Sequence, residues 1–202
     1  MKKTINFLTS TLLLLTLALT IAIMPTERDA AIYEDTLRLH ILANSDSEAD
    51  QNLKYAIRDR LLTKYGQALS RTYSKEEAEE KVSAMLRDIE ADVDLWIREE
   101  GYSYTSQVTL GTEWYDTREY ESFTLPKGYY TSLRVMLGEA EGRNWWCVMY
   151  PPLCTDIATE EAPRDDAIMR YTREEYALIT DEGYNIKFKM LEVFSEAFSK
   201  NG

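Results

Sequence analysis

A segment of eleven residues combines the rarest and most reactive side chains of this sequence. It reads N-W-W-C-V-M-Y-P-P-L-C, from Asn144 to Cys154, and contains both cysteines, two of the four tryptophans and the only Pro-Pro pair. Four kinds of site fit this composition. They are a catalytic thiol, half of a metal site, an aromatic surface that stacks on sugar rings, and a short disulfide-closed loop that presents aromatic side chains to another protein.

A metal site lacks sufficient ligands. Structural zinc is held by about four thiolate or imidazole ligands, whereas the whole chain has two cysteines and one histidine. A calcium loop beginning at Asp46 would need glycine where Gln51 stands and glutamate where Ile57 stands. We therefore expect no metal and no other cofactor.

A catalytic thiol has the residue types it needs, but no recognisable motif around them. Cys147, His40 and Asn44 are the residue types of a cysteine hydrolase. However, His40 is expected at an outward-facing strand position, and Ser45 beside Asp46 resembles a helix cap rather than a serine nucleophile, since no G-x-S-x-G motif surrounds it. We expect no catalytic residue and no small-molecule substrate; a Cys-dependent hydrolase is the alternative.

The two cysteines are spaced for a structural disulfide. Cys147 and Cys154 flank Pro151-Pro152, which bends the chain between them. Their C-x6-C spacing differs from the redox motif C-x-x-C, and closing a loop of this size stabilises a fold by about 2.5 kcal/mol. We expect a disulfide, with two reduced, buried thiols as the alternative.

An aromatic platform for glycans is the other binding alternative. The chain has 14 tyrosines besides its tryptophans, but adjacent residues in a strand face opposite ways. Trp145 and Trp146 therefore cannot both join one flat surface. We expect one to lie in the core and the other to be exposed for protein contact.

Composition excludes nucleic acid as a partner and favours one domain. The length of 202 residues suits a single domain, and 45% apolar residues suffice for a core. The formal net charge of −12, with no compensating basic cluster, repels phosphate backbones.

The N-terminus has the pattern of an export signal. Lys2-Lys3 precede an apolar run over residues 5–23, and Pro25 begins polar sequence. We expect residues 1–26 to be a cleaved signal peptide; a retained membrane anchor, which would contact the membrane through this segment, is the alternative. The lysines stay cytoplasmic in either case, so residues 27–202 form an extracytoplasmic domain.

Hydrophobic periodicity predicts one strand and then two helices. Leu37, Leu39 and Ile41 alternate as in a strand. A helix follows, capped by Ser45 with Glu48 or less well by Ser47 with Asp50, and ending near Gly66. Its apolar face is expected at Leu53, Ile57 and Leu61, with Lys54, Arg58 and Asp59 turned elsewhere. A second helix begins at Ser74 and ends at Gly101, with an apolar seam at Val82, Leu86, Ile89, Val93 and Trp96.

Strands dominate the following sequence. Alternation predicts strands over 102–110, 129–137 and 144–150, the last two joined as a hairpin through G-E-A-E-G-R, with an edge strand or loop over 113–127. The acidic residues 155–166 read as a loop, and a closing helix is expected from Asn185. The predicted fold is α+β: a single domain with an N-terminal strand, two helices, an antiparallel meander and a C-terminal helix.

Two stretches resemble a known family. They are R-L-H-I-L-A-N-S-D-S-E-A-D-Q-N-L-K, residues 38–54, and the Asn144–Cys154 segment preceded by G-Y-Y-T-S-L-R-V-M-L-G. Both are similar to the stage II sporulation protein R family, and the likeness spans residues 36–154 in the family's order.

The resemblance implies a signalling role in endospore formation. Members are made in the forespore, are secreted across its membrane into the space between the two membranes, and activate a membrane-embedded aspartic protease of the mother cell. That protease processes the precursor of an early mother-cell sigma factor. The resemblance implies no enzymatic activity. It assigns the two motifs to shared structure or partner contact, which gives these candidate partner-binding residues: His40, Asn44, Ser45, Asp46, Asp50, Asn144, Trp145, Trp146, Pro151 and Pro152.

Overall fold

A computed structural model describes residues 2–23, 27–120, 123–153 and 171–180. Its helices are α1 (Lys2–Ile23), α2 (Glu27–Glu34), α3 (Glu48–Ser70), α4 (Lys75–Glu99) and α5 (Arg173–Thr180). Its strands are β1 (Leu37–Leu42), β2 (Ser106–Tyr115), β3 (Arg118–Glu119), β4 (Thr124–Leu125), β5 (Gly128–Leu137) and β6 (Asn144–Tyr150). The predicted α+β class is confirmed.

The N-cap of helix α3 lies two residues later than the preferred capping box, Ser45 with Glu48, predicts. The N-cap is Ser47, whose Oγ accepts a hydrogen bond from the Asp50 backbone N at 3.2 Å. The expectation of a Ser45 cap is wrong because the Ser45 hydroxyl is already bonded to the Asp50 carboxylate. The helix also continues past Gly66, whose cost in a helix interior is only about 1 kcal/mol relative to alanine. The Ser74 cap of α4 is confirmed, since its Oγ accepts from Glu77 N.

The main sheet has four strands in the order β2-β5-β1-β6. Strand β1 pairs in parallel with β5 and antiparallel with β6, and β2 pairs antiparallel with β5. The predicted hairpin between 129–137 and 144–150 is therefore wrong, because β1 lies between those two strands. The last strands do not form a simple antiparallel meander. A separate pair, β3 with β4, makes a two-stranded sheet.

The two faces of the sheet carry different side chains. Leu37, Leu39 and Ile41 of β1 are fully buried on one face. This is the face on which Trp145 of β6 meets Arg58 of α3, with 5.3 Å between the guanidinium carbon and the ring centroid. Helices α3 and α4 therefore cover it. On the opposite face, α2, the β3–β4 pair and residues 171–180 surround the alternate residues of β1, which begin at Arg38.

The apolar seam predicted for α4 packs into the core. Val82, Ile89 and Val93 are fully buried, as is Ile97 one turn on. Trp96, which the pattern placed in the seam, is only half-buried, since the helix turns the adjacent Ile97 toward the sheet.

The chain ends fall partly outside this description. The closing helix predicted from Asn185 and the predicted loop over 155–166 lie outside the described residues. Helix α5, which the sequence did not suggest, lies between them. Among the described residues, no helix combines the length and the apolar character needed to cross a membrane. The predicted export signal stays a prediction.

Candidate interaction site

His40 is a buried link between strands. Its Nδ1 lies 3.1 Å from both carboxylate oxygens of Glu113 on β2, and its Nε2 lies 3.0 Å from Asn144 Oδ1 on β6. The prediction that His40 faces outward is wrong. Its side chain lies on the sheet face away from α3, but neighbouring side chains leave it only 7% exposed. Both ring nitrogens thus face oxygen atoms of neighbouring strands, so the ring ties β1 to β2 and β6.

Glu113 is the carboxylate at the centre of this arrangement. Its Oε1 accepts a hydrogen bond from Tyr115 Oη at 2.8 Å, and Arg134 Nε lies 3.9 Å from its Oε2. Burial by itself raises the pKa of a carboxyl group. The hydrogen bonds from His40, Tyr115 and Ser132 outweigh that effect and lower the pKa of Glu113 to about 2. The group is therefore charged at any physiological pH.

Trp146 closes the arrangement on its outer side. Its ring is stacked on His40, with centroids 5.4 Å apart and planes 27° from parallel. The Arg118 guanidinium also lies over the indole of Trp146, 3.7 Å from the ring centroid. We refer to His40, Glu113, Asn144, Trp146 and Arg118 as the His40 cluster.

The two tryptophans face opposite sides of the sheet, as expected. Trp145 stands opposite Ile41 and contacts α3, whereas Trp146 stands opposite His40. The expectation that one is core and the other exposed is wrong, because both are half-buried. A cation covers a face of each ring, and neither offers a flat open surface for a sugar.

Cys147 and His40 do not form a nucleophile–base pair. Cys147 is aligned with Leu39 in the β1–β6 register, while His40 is aligned with Trp146. Because successive strand residues alternate faces, the sulfur of Cys147 lies on the α3 side and the imidazole on the other. Cys147 is buried. Cys154 lies outside the described residues, so the pairing of the two cysteines stays a prediction.

The motif after β1 is a hydrogen-bonded turn built on Asp50. The Asp50 carboxylate accepts from Asn44 Nδ2 at 2.9 Å, from Ser45 Oγ at 2.5 Å and from Tyr104 Oη at 2.8 Å. Burial acts to raise the pKa of Asp50, but these donors outweigh it and lower that pKa below its ordinary value. The negative charge also lies in the first turn of α3, where the helix dipole stabilises it.

The same turn holds the connection between β5 and β6. Asn44 Oδ1 accepts from Glu139 N at 3.0 Å, and Asp46 Oδ1 accepts from Arg143 N at 2.7 Å. Gly138 has a φ of +57°, and a Cβ there would lie 2.2 Å from Asn44 Oδ1. Only glycine allows the connection to pass this close to the turn.

Lys54 completes this region from inside α3. Its Nζ donates to Arg143 O at 2.9 Å and to Gln51 Oε1 at 2.6 Å, and the side chain is almost fully buried. The expectation that Lys54 turns away from the core is wrong, because the loop carbonyl supplies a partner that the helical pattern does not show. Burial, followed by the nearby Arg143 charge, lowers the pKa of Lys54.

Most predicted partner-binding residues therefore have a structural role visible in these bonds. Only Asp46 and Asn144 among them are exposed; Pro151 and Pro152 are buried. Their part in partner contact stays a prediction. The sequence reading missed several residues that these arrangements depend on, namely Lys54, Tyr104, Glu113, Tyr115 and Arg118. One sequence signal was available: Glu113 and Tyr115 are two residues apart in a strand, which places their side chains on the same face.

Arg38 was also missed. It is fully buried, its Nη2 donates to Tyr120 Oη at 2.8 Å, and its guanidinium lies 3.9 Å from the ring centroid of Tyr115. Among the described residues no carboxylate pairs with it. Aromatic faces stabilise the charge in place of an anion. Across the described part of the chain, no group of three or more His, Cys, Asp or Glu side chains could hold a metal ion.

Comparison with known proteins places both motifs in one family. The family model for Stage II sporulation protein R matches residues 33–160, which include the Asp50 turn and the His40 cluster. The chain belongs to the stage II sporulation protein R family. A curated relative, Stage II sporulation protein R of Bacillus subtilis (strain 168), is 30% identical over 187 residues, covering 83% of this chain and 84% of the relative. No solved structure matches the chain.

Membership of the stage II sporulation protein R family supports a role in sporulation. The Asp50 turn and the His40 cluster both lie inside the matched residues, whereas α1 and α5 lie outside them. The family match therefore covers the sheet together with α3 and α4.

Proposed function

We propose that this protein is a secreted signal of endospore formation that activates a membrane-embedded aspartic protease in the mother cell. The activated protease would then process the precursor of the early mother-cell sigma factor. The observation that carries the proposal is family membership across residues 33–160. The export-like N-terminus, with Lys2-Lys3 before an apolar run, supports secretion into the space between the two membranes.

The geometry of the rare residues supports a binding role over an enzymatic one. Cys147 and His40 lie on opposite faces of the sheet. The hydrogen-bonding groups of His40 are directed at Glu113 and Asn144 rather than at a hydroxyl or thiol nucleophile. The parts of a hydrolase site are thus present as residue types but are not assembled.

Activation by a ligand of this kind is a shift between two states of the receptor. The bound signal favours the active state only by its difference in affinity for the two states. Moving a receptor from 1% to 99% active needs a difference of roughly 5.5 kcal/mol. A few desolvated aromatic anchors supply energies of that order.

Reconstitution tests the proposal. Membranes containing the protease and the sigma-factor precursor are mixed with purified domain 27–202, and mature sigma factor is measured. We expect processing to depend on the folded domain and to be absent with heat-unfolded domain. Protease with its catalytic aspartates replaced is the control for adventitious cleavage. Equal processing with and without the domain contradicts the proposed function.

A further inference from the structure

At the β2 edge of the main sheet, α4 covers the outward backbone amides of the first half of the strand but not, among the described residues, those of the second half. Strand β2 is the outer strand, and among the described strands it pairs only with β5. Its first two outward amides are covered by α4: Asp94 Oδ1 accepts from Ser106 N at 2.7 Å, and Glu90 Oε2 accepts from Val108 N at 3.0 Å. Such capping is a usual way of preventing an edge strand from pairing with other chains.

Within the described part of the chain, the second half of β2 has no such cover. The register with β5 is continuous, so backbone groups alternate in direction without a bulge. The amides of Leu110 and Thr112 therefore point outward like those of Ser106 and Val108. No described residue bonds them. The segment Leu110–Thr112 carries no charged side chain, and a Cβ on Gly111 would meet nothing within 4 Å.

An exposed aromatic pair adjoins the uncovered edge. Trp114 and Tyr129 are direct partners in the β2–β5 register, and their rings meet edge to face with centroids 5.0 Å apart. Trp114 is 52% exposed and Tyr129 is 65% exposed. Both side chains lie on the sheet face that α4 covers near Val108. Around Trp114 and Tyr129 the same face is exposed to solvent. Tryptophan and tyrosine are the residue types most often found at the energetic centre of protein interfaces.

We propose that Leu110–Trp114, together with Tyr129, is the surface on which the protein partner docks, by adding an extended segment to the edge of β2. The inference rests on the proposed function, since it names where the receptor binds. Backbone hydrogen bonds to Leu110 and Thr112 give the register, and an apolar side chain of the partner packs against Trp114.

The negative charges around the uncovered edge of β2 determine which kind of extended segment binds there. Glu90 and Asp94 lie beside one end of the uncovered edge, and the exposed Asp116 lies at the other. The chain as a whole carries a net charge of −12. The occupant is therefore an extended segment with lysine or arginine flanking an apolar residue. A second copy of this chain is disfavoured, because pairing β2 with itself brings these carboxylates together.

The sharpest test removes one outward hydrogen-bond donor. Thr112→Pro deletes the amide that points away from β5 while leaving the β2–β5 ladder intact, which edge strands tolerate. Thr112→Ala, which keeps the amide, is its matched control. In the reconstituted processing reaction we expect Thr112→Pro to raise the domain concentration for half-maximal processing about tenfold or more, with Thr112→Ala unchanged.

A second pair of variants tests the aromatic anchor. Trp114→Ala should raise the half-maximal concentration by about tenfold or more. Tyr73→Ala is the control, because Tyr73 is a still more exposed aromatic residue and lies in the connection between α3 and α4 rather than on β2 or β5. Raising the salt concentration should also weaken activation, since the occupant is basic. Unfolding midpoints of all variants are measured alongside.

Hydrogen exchange of the unaltered chain supplies a readout that needs no substitution. Adding the detergent-solubilised protease should slow exchange of the Leu110 and Thr112 amides. If processing depends on the domain but these amides stay unprotected and all four variants act alike, the inference is wrong and the proposed function stands. If the two amides are protected by self-association without protease, a second copy is the occupant and the inference is wrong. If the unaltered domain fails to stimulate processing, the proposed function and this inference fail together.

Discussion

At the scale of single residues, four polar side chains in contact with one another define how the strands align. His40 on β1, Glu113 on β2, Arg134 on β5 and Asn144 on β6 are joined in one set of contacts. Each strand of the main sheet supplies one member. Because a one-residue slip of any strand moves its side chains to the other face, this set specifies the register as well as stabilising it.

Glu113 can be tested by removing only its charge. Glu113→Gln leaves His40 without its carboxylate, and we expect a loss of about 2 kcal/mol in the free energy of unfolding at pH 7. Urea unfolding measures it. Glu141→Gln, at an exposed loop position, is the control and should change stability by less than about 0.5 kcal/mol.

The stabilisation that Glu113 provides should also depend on pH in a defined direction. The pKa of Glu113 is about 2 in the folded chain, below its ordinary value of 4.5. Its contribution is therefore fully present above pH 4.5 and is lost as the pH falls toward 2. The stability difference between the unaltered chain and Glu113→Gln should shrink over that range. A difference that stays constant as the pH falls contradicts the assigned role.

At the scale of elements, the predicted disulfide would fix the segment that follows β6. Replacing either Cys147 or Cys154 with serine should lower the free energy of unfolding by about 2.5 kcal/mol, and by the same amount in each case. Urea unfolding with and without reductant measures this. Mass measurement after thiol alkylation reports the redox state directly. Unequal effects of the two substitutions would argue for separate roles of the two thiols.

Helix α5 meets the residue that follows α2, Asp35, through the carboxyl group of Glu175. Burial, a hydrogen bond with Glu175 and the negative charges of Glu175, Glu76 and Glu34 raise the pKa of Asp35 to about 6. Glu175 is buried and accepts from Thr172 N at 2.7 Å. A raised carboxyl pKa means that the folded state binds the proton more tightly, so docking of α5 is strongest below the ordinary pKa of 3.8, weakens as the pH rises from there to about 6, and changes no further above 6.

Asp35→Asn should remove that dependence. We expect amide exchange of α5 to slow at pH 7.5 relative to the unaltered chain, because one of two facing charges is lost. Between pH 5 and 7.5 the variant should show little change in protection after correction for intrinsic exchange. Glu174→Gln, an exposed neighbour on α5, is the control and should keep the original pH dependence.

Most elements followed from local sequence, although α2 and α5 did not, and the arrangement of the strands in the sheet did not follow from it. The seam of α4 and its Ser74 cap are local signals, and both are confirmed. The neighbours of β1 are not local: Leu37 is aligned with Thr131 and Leu42 with Asn144. Nothing in the alternation of one strand specifies a partner so far along the chain. The burial of Lys54 and the contact between His40 and Glu113 were missed for the same reason.

At the scale of the whole molecule, the described core begins at α2. The described side chains of α1, residues 4–18, are all exposed. In contrast, Ile32 of α2 is fully buried, and Tyr33 packs edge to face on Tyr130 with centroids 5.0 Å apart. The described side chains of α1 therefore take no part in the core, and we predict that the domain folds without residues 1–26.

Two deletions test this boundary. Removing residues 1–26 should leave the midpoint of thermal unfolding unchanged. Removing residues 1–36 also takes away Ile32 and Tyr33, and we expect it to cost about 3 kcal/mol or more. Calorimetry of the two truncated chains distinguishes them. Equal stability of both would show that α2 does not contribute to the core.

The central position of β1 makes the sheet depend on nearly complete synthesis. Its parallel neighbour begins at Gly128 and its other neighbour ends at Tyr150. Contacts between residues so distant in sequence form late and slowly. A chain that emerges N-terminus first has its middle strand unpaired until most of its length is free. Under the proposed secretion, such a chain would stay open enough to pass through a translocation channel and would complete its sheet only on the far side of the membrane.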